Sequence, residues 1–253
     1  MCGRFSLTAS PREVAETFGL DALDEFPPRY NIAPTQPILV VVTGPAGCRQ
    51  GVLVRWGLVP AWVRDPGEFR LLINARAETA AEKPAFKYAM RHRRVLVPAS
   101  GFYEWHRPAD RTAPRQPYWV RPRGGGLVAF AGLMETWSGP DGSEIDTAAI
   151  LTVPASPTIA AIHDRMPLVV APEHFDRWLD CRDWRPRDVA DLLAPADADL
   201  FEAIPVSQRV NRVANDGPDL QQPLSQPLAA QQPTARRRAK PGGRADSSQL
   251  KLF

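Results

Sequence analysis

The sequence predicts an α+β fold, a single domain with a β-barrel-like, mainly antiparallel core flanked by short helices, followed by a disordered C-terminal tail. Three observations carry this expectation. Short β-rich runs bounded by turn residues outnumber helical stretches over residues 1–217. The helical stretches are themselves short. The regular strand–helix alternation of a parallel sheet is absent, and no Gly-rich loop follows a strand, which argues against a Rossmann or P-loop nucleotide site.

The elements follow in order. Ser10-Pro11-Arg12-Glu13 reads as a capping box with Pro at the first helical position. Val14 and Phe18 then share one helix face, and Gly19 ends it. Ile38 to Thr43 and Val52 to Trp56 are β-rich runs, and Thr43-Gly44-Pro45-Ala46-Gly47 between them reads as a turn. Pro84 to His92 reads as a short helix. Val95 to Val97, Phe102 to Trp105, Tyr118 to Arg121, Leu127 to Leu133 and Ala148 to Val153 read as strands. Pro172 to Leu179 and Pro186 to Leu193 read as helices that begin at Pro. From residue 218 the composition turns Pro/Gln/Ala-rich and then basic, too polar to offset its ordering entropy. The domain is therefore expected over 1–217 and the tail over 218–253.

Composition narrows the function classes. The chain has 253 residues, enough to bury a full core, and 44% of them are hydrophobic, as in a soluble globular protein. No apolar run approaches the ~20 residues of a membrane span. The start Met1-Cys2-Gly3-Arg4-Phe5 lacks the apolar stretch of a signal peptide, so a cytoplasmic protein is expected. Three widely spaced cysteines without a Cys-x-x-Cys argue against a disulfide framework or structural zinc; no metal and no cofactor are expected. The net charge of +3 is uneven: six Lys/Arg and two Asp lie in 218–253, leaving residues 1–217 at a net of −1. Any nucleic-acid groove must then be a local cluster, drawn from Arg4, Arg29, Arg76 and the Arg91–Arg94 run.

Cys2 follows the initiator Met, and its small side chain permits Met removal. The mature chain then starts with an α-amine and a thiol on one residue. Such a 1,2-aminothiol condenses with an aldehyde to an imine and closes to a thiazolidine; alternatively the thiolate attacks a carbonyl, as in an acyl-transfer enzyme. Three polar segments accompany it. Asn74-Ala75-Arg76-Ala77-Glu78-Thr79 packs an amide, a guanidinium and a carboxylate together. Phe102-Tyr103-Glu104-Trp105 sets one acid among aromatics, which favours a raised pKa and proton transfer. His163-Asp164-Arg165-Met166-Pro167 places a histidine beside an acid and a base. With Cys2 they supply nucleophile, acid/base and orienting groups.

These segments, with Arg29-Tyr30-Asn31-Ile32-Ala33-Pro34-Thr35, Trp56-Gly57-Leu58-Val59-Pro60-Ala61-Trp62 and Gly101 before Phe102, come in the order seen in one family. Over residues 2–215 the chain resembles the SOS-response-associated peptidase (SRAP) family of abasic-site processing proteins. One departure is Gly132-Leu133-Met134-Glu135, where an aromatic is expected before the acid. The resemblance implies a DNA-repair protein that binds single-stranded DNA and traps the ring-opened aldehyde of an abasic site as a thiazolidine crosslink, shielding the strand from cleavage. It implies Cys2 as the covalent residue, Asn74 as a hydrogen-bond partner of the sugar and the N-terminal residue, Glu104 as proton carrier, and His163 as the group assisting ring opening and crosslink reversal. It places Arg4, Pro34, Trp56, Arg76 and Thr152 at the DNA. Lyase and autopeptidase activity belong to the same expectation.

The last five residues, Gln249-Leu250-Lys251-Leu252-Phe253, resemble the Gln-Leu-x-Leu-Phe peptide with which bacterial proteins dock on the β sliding clamp. Leu252 and Phe253, with Leu250, supply the apolar contacts and Gln249 a polar anchor. Two other readings stay open. An N-terminal-nucleophile amidohydrolase or peptidase shares the Met-Cys-Gly start, and a non-enzymatic clamp-tethered adaptor keeps the tail and discards Cys2.

Overall fold

The computed structural model describes residues 2–44, 47–106 and 114–225. The clamp-like peptide 249–253 lies outside them. In chain order the elements are β1 (Phe5–Leu7), α1 (Pro11–Phe18), β2 (Arg29–Ile32), β3 (Pro37–Thr43), β4 (Arg49–Trp56), β5 (Asn74–Arg76), α2 (Ala77–Ala80), α3 (Lys87–His92), β6 (Arg94–Ala99), β7 (Gly101–His106), β8 (Gln116–Pro122), β9 (Val128–Ser138), β10 (Glu144–Pro154), α4 (Pro157–Ala160), β11 (Arg165–Pro167), β12 (Val169–Val170), α5 (Phe175–Leu179) and β13 (Phe201–Pro205).

The α+β reading holds. One sheet has five strands in the order β13-β8-β7-β1-β2; the other has eight, with β11-β10-β4-β3-β6-β9-β12 as its main path. Pairing is antiparallel except along β10, which runs parallel to both β4 and β5. Thr147 and Ala148 pair with Arg55 and Trp56; Ile150, Leu151 and Thr152 pair with Asn74, Ala75 and Arg76. The chain thus leaves β10 at Gly57, whose N–H donates to Ala148 O, and returns at Ile73, whose carbonyl accepts from Ile150 N. Gly57 makes the exit at φ 131°, a conformation open to glycine.

An aromatic cluster joins the sheets. Phe5 and Phe102, from the five-stranded sheet, meet Phe130 of β9 edge-on, and Phe5 meets Trp56 of β4 at 5.2 Å. Such edge contacts add ~0.5–1.5 kcal/mol each beyond their buried area. Helix α1 closes one side: Val14 and Phe18 are buried, and Phe18 stacks on Phe175 of α5. Its capping box forms as read, with Ser10 Oγ accepting from Glu13 N and the Glu13 carboxylate accepting from Ser10 N. Gly19 ends it in the left-handed region at φ 63°.

Three expectations need revision. Residues 186–192 form a 3-10 helix, tightened by the Asp188 carboxylate accepting from Arg185 N. The short strands β1, β2, β5 and β11 to β13 have no readable period in sequence. The folded body also runs past residue 217. Pro218–Gln221 form a 3-10 turn, Leu220 is fully buried, and Leu224 N donates to Pro205 O. Met134, where an aromatic was expected, is buried at the edge of a surface cleft of about 630 Å³. Among the described residues no helix is long and apolar enough to cross a membrane.

Candidate active site around Cys2

Strand β1 is held on both edges: Phe5 pairs with Ile32 of β2 and with Phe102 of β7. Tyr103 N donates to Arg4 O at 2.9 Å. Carried two residues toward the N-terminus, this register sets Gly3 opposite Glu104 and leaves Cys2 at the end of the ladder. Cys2 is fully buried, and its thiol donates to Arg4 O at 3.7 Å. Burial pushes the thiol pKa well above its ordinary range, and the negative charge of Glu104 pushes it further; the bond to Arg4 O works against both. Glu104 is itself buried in β7.

Asn74 opens β5 on the other sheet. Its Nδ2 donates to Cys2 O at 2.8 Å, and its Oδ1 is buried with no partner in the described structure. The residue before it is fixed from two sides, since Ile73 O accepts from Trp56 Nε1 at 2.9 Å and from Ile150 N at 3.0 Å. A buried acceptor without a donor costs ~1–3 kcal/mol, so an oriented N–H or O–H reaching Oδ1 is favoured there.

His163 joins through β10. That strand carries β5 on one side and β11 on the other: Thr152 pairs with Arg76 and with Pro167. His163 Nδ1 lies 3.0 Å from Arg165 N, from which an unprotonated Nδ1 accepts, and 3.2 Å from Arg165 O, to which a protonated Nδ1 donates. The same Nδ1 lies 3.0 Å from Asp164 Oδ1, a partner for the protonated ring. Arg165 anchors the segment, forking onto the Glu78 carboxylate and reaching Thr152 O. In the sequence Glu78 and Arg165 stand out only as members of their motifs. Their bidentate pair is what ties the His163 segment to the Asn74 segment.

The residues expected at DNA divide. Arg76 is exposed beside Glu78, and Pro34 sits half-exposed in a tight turn from Ala33 to Gln36. Trp56 is a correction: it is fully buried and offers no face for stacking, because its indole packs on Phe5 and buttresses Ile73. Thr152 is buried as well, its hydroxyl donating to Ala75 O. Arg4 turns inward, donating to Asn31 Oδ1 and Val210 O. Within the Arg91–Arg94 run the guanidinium groups are engaged inside the fold. Arg94 is buried on the carbonyls of Met90, Trp178, Asp180 and Trp184, Arg91 donates to Cys181 O, and Arg93 to Thr136 Oγ1. Arg29 supports the Pro34 turn through Pro37 O and Gln36 Oε1.

The cleft of about 630 Å³, between the β3–β4 hairpin and the end of α5, and another of about 390 Å³ beside α1 are lined by none of Cys2, Asn74, Glu104 or His163. Among the described residues no group of three His, Cys, Asp or Glu is placed to hold a metal.

A family model described as SOS response associated peptidase matches residues 1–213. The abasic site processing protein YoqW of Bacillus subtilis (strain 168) is 39% identical over 223 residues, which cover 87% of this chain and 98% of YoqW. The abasic site processing protein YedK of Escherichia coli (strain K12) is 30% identical over 232 residues, covering 88% of this chain and 100% of YedK. The abasic site processing protein HMCES of Gallus gallus is 33% identical over 228 residues, covering 78% of this chain and 66% of HMCES. In fold, a crystal structure of a Bacteroides thetaiotaomicron protein superposes with a TM-score of 0.77 at 24% identity, covering 88% of this chain and 100% of that one.

Proposed function

The chain belongs to the SOS response associated peptidase family, and from that premise we propose that it acts in DNA repair by crosslinking itself to abasic sites in single-stranded DNA. The observation that supports this most is the setting of Cys2: a buried thiol, faced by Glu104, with its own carbonyl held by Asn74.

The chemistry starts once Met1 is removed. The Cys2 amine adds to the C1′ aldehyde of the ring-opened sugar, and the carbinolamine loses water to form an imine. The thiol then adds across the C=N bond. A carbon–sulfur bond forms, the thiol proton leaves, nitrogen gains a proton, and the five-membered thiazolidine closes. Without an open imine the strand has no electron sink for β-elimination. The electrostatics suit this order. The thiol keeps its proton while Glu104 is charged beside it, and a cationic iminium nearby favours the thiolate at the moment of attack. Glu104 takes a proton from the amine as it adds, returns it to the departing hydroxyl, and, charged again, accepts the thiol proton at ring closure. His163 protonates the ring oxygen as the sugar opens. Asn74 holds the Cys2 backbone and accepts at Oδ1 from the sugar or the new amine. Arg76 meets the DNA backbone, and Pro34 abuts a neighbouring base.

Intact mass of the purified protein, alone and after incubation with an abasic single-stranded oligonucleotide, tests this. Loss of Met1 and a heat-stable adduct are expected, and Cys2→Ala abolishes the adduct. Processed protein that forms none overturns the proposal. Turnover of glutamine to ammonia in its place supports the amidohydrolase reading. A second part of the proposal concerns the chain end: Gln249, Leu250, Leu252 and Phe253 dock on the sliding clamp. Deleting the last five residues abolishes clamp capture and leaves crosslinking intact; clamp capture by the shortened chain refutes it.

A further inference from the structure

We propose that the segment 206–224 works as a strap that fixes the reactive N-terminus, with Asn31 as the positioning residue through which it acts. The inference rests on the crosslinking role of Cys2 and adds the machinery that holds Cys2 in place.

Asn31 is buried in β2 with both ends of its carboxamide engaged. Oδ1 accepts from Arg4 Nη1 at 2.7 Å. Nδ2 faces three carbonyls of the strap, Val210 at 3.3 Å, Arg212 at 3.2 Å and Asn215 at 2.7 Å. Two hydrogens among three acceptors pull the strap into a tight arc around one side chain. Arg4 closes the loop, since the same Nη1 donates to Val210 O at 2.7 Å. The backbone carbonyl of that same Arg4 receives the Cys2 thiol and Tyr103 N. A displacement of Arg4 therefore moves the acceptor on which the thiol rests.

Further strap contacts fall on β1, β2 and β7, while Val206 bonds to Gln116 and Pro117 of β8. Gln221 Nε2 donates to Ser6 Oγ of β1 at 3.0 Å, and Tyr30 N of β2 donates to the Asp216 carboxylate. On β7, Trp105 Nε1 donates to Asn211 Oδ1 at 2.7 Å, one residue past Glu104. Val206, Val210 and Leu220 bury against Tyr103 and Trp119 in a small core of their own. These strands carry Cys2 and Glu104. Asn215, Asp216, Leu220 and Gln221 lie beyond residue 213, where the family match ends. A strap serving stability alone leaves the folded protein's chemistry untouched. One serving position also sets the rate, because ring closure depends on sub-ångström placement of sulfur and nitrogen.

The test uses full-length, Met1-processed protein and two aldehydes, abasic single-stranded DNA and free glyoxylate. Asn31→Ala is expected to lower the maximal crosslinking rate about 10-fold or more while the half-saturating DNA concentration moves less than about 3-fold. Thiazolidine formation with glyoxylate, read by mass, falls in parallel. Asn31→Asp keeps the Arg4 contact and recovers part of the rate. Folded Asn31→Ala with the wild-type maximal rate overturns the proposal. If Asn31→Ala fails to fold, Gln221→Ala, which removes one strap contact, is expected to slow both reactions about 3-fold, and unchanged rates refute the idea. Wild-type protein that captures glyoxylate and no abasic DNA refutes the DNA reading alone, with the glyoxylate rates still testing the strap. Capture of neither overturns both.

Discussion

Asn74 and Cys2, 72 positions apart, meet through a 2.8 Å hydrogen bond from the side-chain amide of one to the main-chain carbonyl of the other. The bond crosses between the two sheets. Cys2 extends β1 of the five-stranded sheet, and Asn74 opens β5 of the eight-stranded one. Cys2 thus sits at a seam, its position set by both halves of the fold.

Replacing Asn74 by Ala removes that tie. We expect the crosslinking rate to fall about 10-fold or more, with a loss of only ~1 kcal/mol in unfolding free energy. Single-turnover crosslinking and a denaturant titration, run side by side, check the pair of outcomes. A large stability loss with an unchanged rate contradicts the role given to Asn74.

The raised thiol pKa of Cys2 has two measurable consequences. Alkylation of Cys2 in the native, Met1-bearing chain is expected to keep rising with pH beyond the ordinary thiol range near 8.5. Glu104→Gln removes the second cause and shifts that profile to lower pH. Stability follows the same sign. Above pH ~8.5 the unfolded chain has released a proton that the native state retains, so stability falls as pH rises. Cys2→Ala flattens this alkaline decline, measured as Tm between pH 7.5 and 10. A profile unmoved by Glu104→Gln argues against the charge coupling.

Glu78 shifts the other way. Its hydrogen bonds to Arg165 hold the carboxyl below the usual carboxylate range. Its contribution to stability is present above pH ~4.3 and is lost as pH falls through the lowered folded value. Glu78→Gln is therefore less stable than wild type at pH 7, and the two converge in acid. Melting curves from pH 2.5 to 7 read this directly. A gap that persists at pH 2.5 shows that the pair contributes through something other than ionisation.

Thr35 occupies the left-handed region at φ 74°, the one non-glycine described at positive φ. It follows Pro34 in the turn closed by Gln36 N to Ala33 O. Thr35→Gly relieves ~1–2 kcal/mol of steric cost and gives back part of it to the entropy of the unfolded chain. A net gain of about 0.5–1 kcal/mol is expected, seen as a rise in Tm. A fall in Tm indicates that the threonine side chain makes a contact worth more than the strain.

Much of this was legible beforehand, for identifiable reasons. The capping box at Ser10 and Glu13 is local, and local hydrogen bonds can be read from spacing. The longer strands, β3, β4, β9 and β10, announce themselves by β-branched runs. Cys2, Asn74, Glu104 and His163 stand out because their residue types carry chemistry. What was hidden depends on distant partners. Arg94 looks like a surface cation until the carbonyls of residues 178–184 surround it. Trp56 looks like a stacking platform, and only the neighbouring sheet reveals that its face is taken by Phe5. Leu220 was concealed by its Pro- and Gln-rich surroundings, which resemble a tail in composition while one side chain plugs a core.

The parallel docking of β4 and β5 along β10 separates the length of a loop from the position of the residue that follows it. Residues 57–73 depart from one strand and rejoin it a step further along, so the excursion begins and ends on the same rail. Doubling such a loop costs only about 0.6 kcal/mol more in closure entropy, and Asn74 still lands in register. Asn74 therefore takes its place from the rail and not from the length of chain before it, and the seam at Cys2 is mechanically insulated from whatever residues 64–70 do.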